Sequence, residues 1–221
     1  MVENRVKRSE VSMSQKKISK TVLERLPFYL HYLHTLAEEG EEFVSATTIA
    51  RSMDYGEVQV RKDLGQVSGE GKPRVGYRIT ELIKSIETFL GFDKKYYAVI
   101  VGAGNLGKAL YGYRGFAKYG LEIASAFDTD KSKVDSNSGV VVRDISELKG
   151  FCLKNNVKIG IITVPKEYAQ SVCDLMVESG ILAIMNFASV RLKAPQNILI
   201  KNENIASSLA VLSAHLYERL K

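Results

Sequence analysis

Apolar residues recur along this chain in two different rhythms. Val22, Leu23, Leu26, Leu30, Leu33 and Leu36 fall at helical spacing, which predicts a helix from Ser19 to Glu39 closed by Gly40. Pro27 lies inside that span and demands a kink or a late helix start. Phe43-Val44 is a short link. Ser45 is placed to cap a helix over Thr47 to Met53, and Asp54-Tyr55-Gly56 reads as a turn. Glu57 to Val67 is a second short helix, with Val58, Val60, Leu64 and Val67 as its apolar positions. A glycine-rich, hairpin-like stretch from Ser68 to Tyr77 follows. A helix from Thr80 to Leu90, capped by Thr80 and closed by Gly91, completes this part. Helix, short helix, turn, short helix and hairpin is the order of a winged helix-turn-helix.

From Tyr96 onward the rhythm becomes strand–helix alternation, which implies a parallel sheet. The predicted strands are Tyr97–Val101, Glu122–Phe127, Val140–Val142, Val157–Thr163, Ile181–Asn186 and Ile198–Lys201. Helices are predicted at Gly107–Lys118, Ile145–Lys154, Glu167–Ser179 and in a short segment after Ala188. Asn204 to Leu220 is a final amphipathic helix, and its apolar face needs a surface to cover it.

Within the second rhythm, Gly102, Ala103, Gly104, Asn105, Leu106 and Gly107 form a G-x-G-x-x-G run between the first predicted strand and its helix. Gly102 permits the tight turn, Gly104 lets the backbone approach a pyrophosphate, and Gly107 lets the helix pack close to the strand. The free N–H groups of the helix N-terminus then face the phosphates. The second strand ends in Asp128, about 20 residues past the last glycine, where such folds place the acid that binds a ribose. The fold class is therefore an α/β Rossmann domain with a parallel sheet, preceded by an N-terminal winged helix-turn-helix domain and followed by a C-terminal helix. The predicted boundaries are 1–93, 94–201 and 202–221, with residues 1–17 a polar, basic arm.

Bulk composition changes this picture little. The 221 residues have room for two small domains, and a hydrophobic content of 45% is ordinary for a globular protein. No apolar run is long enough to span a bilayer, and the N-terminal stretch lacks the apolar core of a signal peptide, so a cytoplasmic protein without a membrane partner is expected. Cys152 and Cys173, the only cysteines, suit reduced buried thiols. His31, His34 and His215 suggest no metal site. The net charge of +6 permits a polyanion partner without requiring one. Residues 26–95 carry nine Lys/Arg against eleven acids, so a nucleic-acid reading rests on placement rather than bulk charge.

Placement does favour DNA. Gln59, Arg61 and Lys62 lie where a recognition helix reaches base edges and phosphates, with Ser45 and Thr47 at the preceding helix. Lys72 and Arg74 sit near the hairpin tip, where Arg74 is suited to a minor groove. A solvated charged helix beside a loop is the plainer alternative.

Several longer stretches resemble one family, the bacterial redox-sensing transcriptional repressors called Rex. They are Arg25-Leu26-Pro27-Phe28-Tyr29, Val60-Arg61-Lys62-Asp63-Leu64, Val75-Gly76-Tyr77, Gly102 to Gly107 with Tyr113 and Gly115-Phe116, Ala126 to Asp130, Thr163-Val164-Pro165 with Ala169-Gln170, and Asn186-Phe187-Ala188. The resemblance implies a homodimer that grips palindromic double-stranded operator DNA and is released when NADH rather than NAD+ fills its Rossmann domains. It implies that the terminal helix, 202–221, is exchanged between protomers. It also implies that Gly102 to Gly107 hold the pyrophosphate and Asp128 the adenine-side ribose, with Asp130 and Tyr113 close by. Thr163, Val164 and Pro165 would line the cleft, and Asn186 and Phe187 would lie near the nicotinamide. Phe187 is equally readable as core, and Thr163 as a helix cap. In the family an arginine, a tyrosine and an aspartate exchange partners as cofactor comes and goes. The matching positions are Arg25, Tyr113 and Asn204.

Two departures qualify the resemblance. Asn204 and Ser208 stand where the family has an aspartate and a glutamate, and an amide cannot ion-pair with Arg25. Retuned redox discrimination is the expectation. At the hairpin, Gln66 and Val67 replace aromatics and Pro73-Arg74 replaces Arg-Gly, which predicts a shifted operator preference. The alternatives are an NAD-dependent oxidoreductase, a CoA- or nucleotide-binding module, and a constitutive DNA-binding regulator. Against the first, only one helix follows the Rossmann portion and no histidine lies near the glycine turn. Against the second, Asp128 favours NAD.

Overall fold

A computed structural model describes residues 19–134 and 141–221. The expected basic arm over 1–17 and the first residue of the strand expected over Val140–Val142 lie outside the described residues. The chain divides into two compact units, one ending at Leu90 and the other beginning at Gly91.

The first unit contains α1 (Lys20–Glu38), β1 (Phe43–Val44), α2 (Ala46–Met53), α3 (Glu57–Ser68), β2 (Tyr77–Arg78) and α4 (Ile79–Leu90). Ser19 caps α1 by accepting from the Val22 N–H, and the helix carries Pro27 in its interior. Leu26, Tyr29, Leu30 and Leu33 form its buried stripe, and α1 packs against α4 while α2 packs against α3. Ser45 caps α2 as expected, accepting from the Thr48 N–H at 3.0 Å. Two expectations change. Val58 is 63% exposed, because the buried face of α3 is Val60, Asp63 and Leu64. Thr80 is not a cap, because α4 already begins at Ile79.

The hairpin is tighter than its sequence suggests. β1 and β2 pair antiparallel through Phe43 with Arg78 and Val44 with Tyr77. Lys72 and Gly76 then exchange backbone hydrogen bonds at 2.8 Å, leaving Pro73, Arg74 and Val75 as the tip. Arg74 adopts a left-handed φ of 63°, a conformation that strains a residue with a Cβ.

The second unit contains β3 (Tyr96–Val101), α5 (Asn105–Gly112), a 3-10 turn (Arg114–Tyr119) and β4 (Leu121–Asp128). It continues through β5 (Val142–Asp144), a 3-10 turn (Ile145–Glu147), α6 (Leu148–Lys154), β6 (Ile159–Ile162) and α7 (Lys166–Glu178). β7 (Ala183–Asn186), β8 (Leu199–Asn202) and α8 (Ile205–Arg219) complete it. The six strands are all parallel in the order β5-β4-β3-β6-β7-β8. The order reverses between β3 and β6, and such a switch point opens a crevice at the carboxyl ends of the strands.

The helix expected over Gly107–Lys118 is broken at Tyr113, whose backbone is extended, beside the weak helix formers Gly112 and Gly115. The short helix expected directly after Ala188 does not form, and no helix lies between β7 and β8. The Asn186 side chain instead bonds the Ala188 and Val190 backbone, which competes with helix formation, and Pro195 follows. The crossover from β7 to β8 is thus a loop, held down by buried Leu192 and Ile198. α8 has no buried residue, and Ile205, Leu209, Leu212 and Leu216 are all exposed along it.

Candidate functional site

Each unit carries a large concave site. In the first, α2, α3 and the hairpin enclose a groove of about 770 Å³ lined by Ser45, Thr47, Arg61, Lys62, Lys72 and Arg74 among others. Six of the seven residues expected to contact DNA therefore share one surface. Four of them are cations, with Glu70 the single carboxylate in the lining. Arg61 is paired with Glu57 one turn earlier. Both side chains are well exposed, so water competes with the pair and the guanidinium is readily released.

Gln59, the seventh, does not line the groove. It lies beside Arg25, and Arg25 has a partner that the sequence did not single out. The Arg25 Nε and Nη2 donate to Asp63 Oδ2 and Oδ1 at 2.7 and 2.9 Å, and the Tyr29 hydroxyl donates to Oδ2 at 2.9 Å. Hydrogen bonding to Asp63 raises the Arg25 pKa against the cost of burial. Burial, reinforced by Asp63, raises that of Tyr29. The motif Val60 to Leu64 contained Asp63, but helical periodicity treats a charged residue as surface. Of the other two expected relay residues, Tyr113 is exposed and packs edge-on against Phe116, with ring centroids 5.1 Å apart. Asn204 caps α8, accepting from the Ser207 N–H at 3.0 Å.

In the second unit the switch-point crevice is a cleft of about 780 Å³. Gly102, Gly104, Asp128, Asp130, Thr163, Val164 and Pro165 line it. Gly102 has a φ of 107°, and a Cβ there would lie 2.8 Å from the Thr163 backbone. A Cβ on Gly107 would lie 1.9 Å from the Gly102 carbonyl oxygen. These two positions let α5 start directly above β3, while Gly104 faces open space. Ala103 is buried, and Asn105 and Leu106 open α5 on the exposed side. Thr163 is not a helix cap. Its hydroxyl donates to the Gly102 carbonyl at 2.7 Å and latches the two strand ends together.

Asp128 is the polar centre of the cleft. Its Oδ2 accepts from the Ala103 N–H at 2.7 Å and from Lys133 Nζ at 3.1 Å, and its Oδ1 accepts from the Asp130 N–H at 2.9 Å. Burial pushes the Asp128 carboxyl up, but these three donors outweigh it and the net shift is downward. Tyr113, Asn186 and Phe187, which the resemblance placed near the cofactor, do not line this cleft. Asn186 is 0% exposed, and its amide is spent on Ala188, Val190 and Asn202. Phe187 packs against the cluster of Ile100, Ala103, Ala126, Val142 and Ile161. Ile145, Tyr168, Val172 and Leu175 form an apolar wall of the cleft that sequence reasoning missed, as it missed Lys133. Which side of α7 faces the crevice depends on how the helix docks, and Lys133 sits in a loop without periodicity.

The cysteines are buried in the sheet core, and burial pushes the Cys152 thiol up to about 11 and raises that of Cys173. Among the described residues there is no cluster suited to a metal ion, and no helix is long and apolar enough to cross a membrane.

Residues 93–190 match the family model of a CoA binding domain, and residues 17–65 match that of a "Putative DNA-binding protein N-terminus". The redox-sensing transcriptional repressor Rex of Porphyromonas gingivalis is 40% identical over 205 residues, 92% of this chain and 94% of that protein. The Rex of Caldicellulosiruptor saccharolyticus is 38% identical, over 93% of this chain and 94% of its own. The crystal structure of RSP in complex with β-NAD+ and operator DNA superposes with a TM-score of 0.85 and 34% identity, covering 91% of this chain and 94% of that one. RSP in complex with β-NADH gives a TM-score of 0.82 at 32% identity, over 94% of this chain and 100% of that one.

Proposed function

Because the chain belongs to the Rex family of redox-sensing transcriptional repressors, we propose that it is a repressor that binds operator DNA and answers to NADH. The observation that carries this reading is the pairing, in one chain, of a cationic groove on a winged helix-turn-helix with a glycine-lined cleft at a switch point. Arg61 and Lys62 on α3 serve base edges and phosphates, Ser45 and Thr47 the backbone at the start of α2, and Lys72 and Arg74 the hairpin side.

The cleft fits a dinucleotide. The α5 N-terminus and Gly102 to Gly107 would take the diphosphate. Asp128 keeps one lone pair on Oδ1 free for a ribose hydroxyl, and Lys133 can vacate a second on Oδ2. A carboxylate there disfavours a 2′-phosphate, so NAD(H) rather than NADP(H) is the ligand class. RSP has been crystallised with NAD+ and operator DNA together and, separately, with NADH, which supports NADH as the releasing form.

The chain acts as a homodimer in the cytoplasm and is a regulator rather than a catalyst. An α8 with no buried residue supports a second protomer as the cover for Ile205, Leu209, Leu212 and Leu216. The relay role of Arg25, Tyr113 and Asn204 belongs to this reading. So does the division into a DNA-binding domain over 1–93, a Rossmann domain over 94–201 and a dimerisation helix over 202–221.

Calorimetric titration with NADH and, separately, NAD+ is the test, followed by DNA binding with each present. Tighter NADH binding with loss of DNA affinity is the expected result. Equal or absent binding overturns the sensor and leaves a constitutive DNA-binding regulator. The CoA binding domain match keeps a second ligand in the experiment. CoA binding without NADH binding would reassign the cleft, and turnover of small alcohols or hydroxy acids with NAD+ would make the chain an oxidoreductase.

A further inference from the structure

A polar chain in the first unit runs from the core to the face of α3. Asp63, 3% exposed, takes two hydrogen bonds from Arg25 and one from Tyr29. Arg25 comes from α1, so the carboxylate on α3 fixes a guanidinium that arrives from a different helix. The remaining face of that guanidinium meets Gln59, one turn before Asp63 on α3. A guanidinium can only donate, so the Gln59 amide must turn its oxygen inward. In that orientation Gln59 Oε1 accepts from Arg25 Nη1 at 3.2 Å, while the single Nε hydrogen stays with Asp63.

A free glutamine amide reads adenine by offering its oxygen and its NH2 together. At Gln59 the oxygen is held by Arg25, and only the NH2 is left for an outside partner. Gln59 lies outside the lining of the groove but is exposed in the first turn of α3, ahead of Arg61 and Lys62, and the N-terminal part of a recognition helix is the part that meets base edges. We infer that Arg25 is a positioning residue that makes Gln59 a donor-only base reader. Its partner in the major groove is then a base whose own edge presents acceptors and no donor, which is guanine through O6 and N7 or thymine through O4. Adenine sets its own N6 amino group against the amide NH2. This inference rests on the DNA-binding reading and adds the chemistry of one base position to it.

The test enriches random-sequence DNA duplexes on the full-length protein and compares the wild type with Gln59→Ala and Arg25→Met. Gln59→Ala is expected to lose about tenfold in preference at one position, where the wild type selects guanine or thymine. Arg25→Met frees the amide oxygen and is expected to move that same position toward adenine. An adenine preference in the wild type at the Gln59-dependent position overturns the inference. So does a Gln59→Ala profile identical to that of the wild type, or an Arg25→Met protein that is folded by circular dichroism and weakened equally on all sequences. Gln59 is exposed, so its variant folds and decides the matter even if Arg25→Met does not. A wild-type chain that enriches no sequence overturns the DNA-binding reading and this inference together. One that enriches a sequence without help from Gln59 overturns only the latter.

Discussion

Among the described residues each unit buries one aspartate, and the two have opposite kinds of partner. Asp63 is enclosed by side chains from a different helix, two donors of Arg25 and the hydroxyl of Tyr29. Asp128, 8% exposed, is held chiefly by the backbone N–H groups of Ala103 and Asp130, with Lys133 as a movable third donor. The first arrangement is closed and anchors one helix to another. The second lies on a cleft and can exchange a donor for a ligand hydroxyl. Burial of a carboxylate therefore does not tell an anchor from a binding group. The identity of its donors, and whether one of them can leave, does.

The largest test of that contrast is Asp63→Ala. It would leave the Arg25 guanidinium partly buried without its counter-charge, and removing one partner of such a pair costs about 3–5 kcal/mol. Chemical denaturation monitored in the first unit should show that loss, whereas a change under about 1 kcal/mol would mean that Asp63 is not an anchor. Asp128→Ala should behave differently. The fold should survive, while calorimetry should show NADH and NAD+ weakened together by about tenfold or more, as charged hydrogen bonds contribute about 1.5–3 kcal/mol each. Unchanged NADH affinity would remove Asp128 from the site.

Asn204→Asp tests whether position 204 takes part in redox discrimination. An aspartate retains the α8 cap and suits the helix dipole, so stability should hold or rise slightly. The ratio of NADH to NAD+ affinity should change by a few-fold, since the oxidised nicotinamide carries a positive charge and the reduced one does not. An unchanged ratio would separate position 204 from redox discrimination.

The smallest effect is acid sensitivity at Asp128. Its carboxyl is held below its ordinary 3.8, so its contribution to stability is complete at neutral pH. That contribution is lost as pH falls below about 4 and through the depressed value. The stability difference between wild type and Asp128→Asn should therefore be constant near neutrality and shrink in that acid window, by under about 1 kcal/mol because the Lys133 partner is partly solvated. A difference that grows on acidification would contradict the hydrogen-bonding pattern at Asp128.

The sequence by itself determined the order of elements, the parallel sheet, the glycine turn and the acid at the end of β4. Each of these is written in local signals, namely periodicity, caps, glycines and short spacings, that act within a few turns of chain. Placing six of the expected DNA-contacting residues around one groove also needed only the order of helix, helix and hairpin. What tertiary structure decided were the partners that come together from distant positions. Arg25 reaches Asp63 across 38 residues, and Thr163 latches Gly102 across 61. The side of α7 that faces the cleft, the loss of a helix after Ala188 to the bonds of Asn186, and the exposure of Val58 also depend on docking. Periodicity records which face of an element is apolar. It does not record which charged residue will be buried, because burial of a charge is permitted only where another element brings the donors that satisfy it.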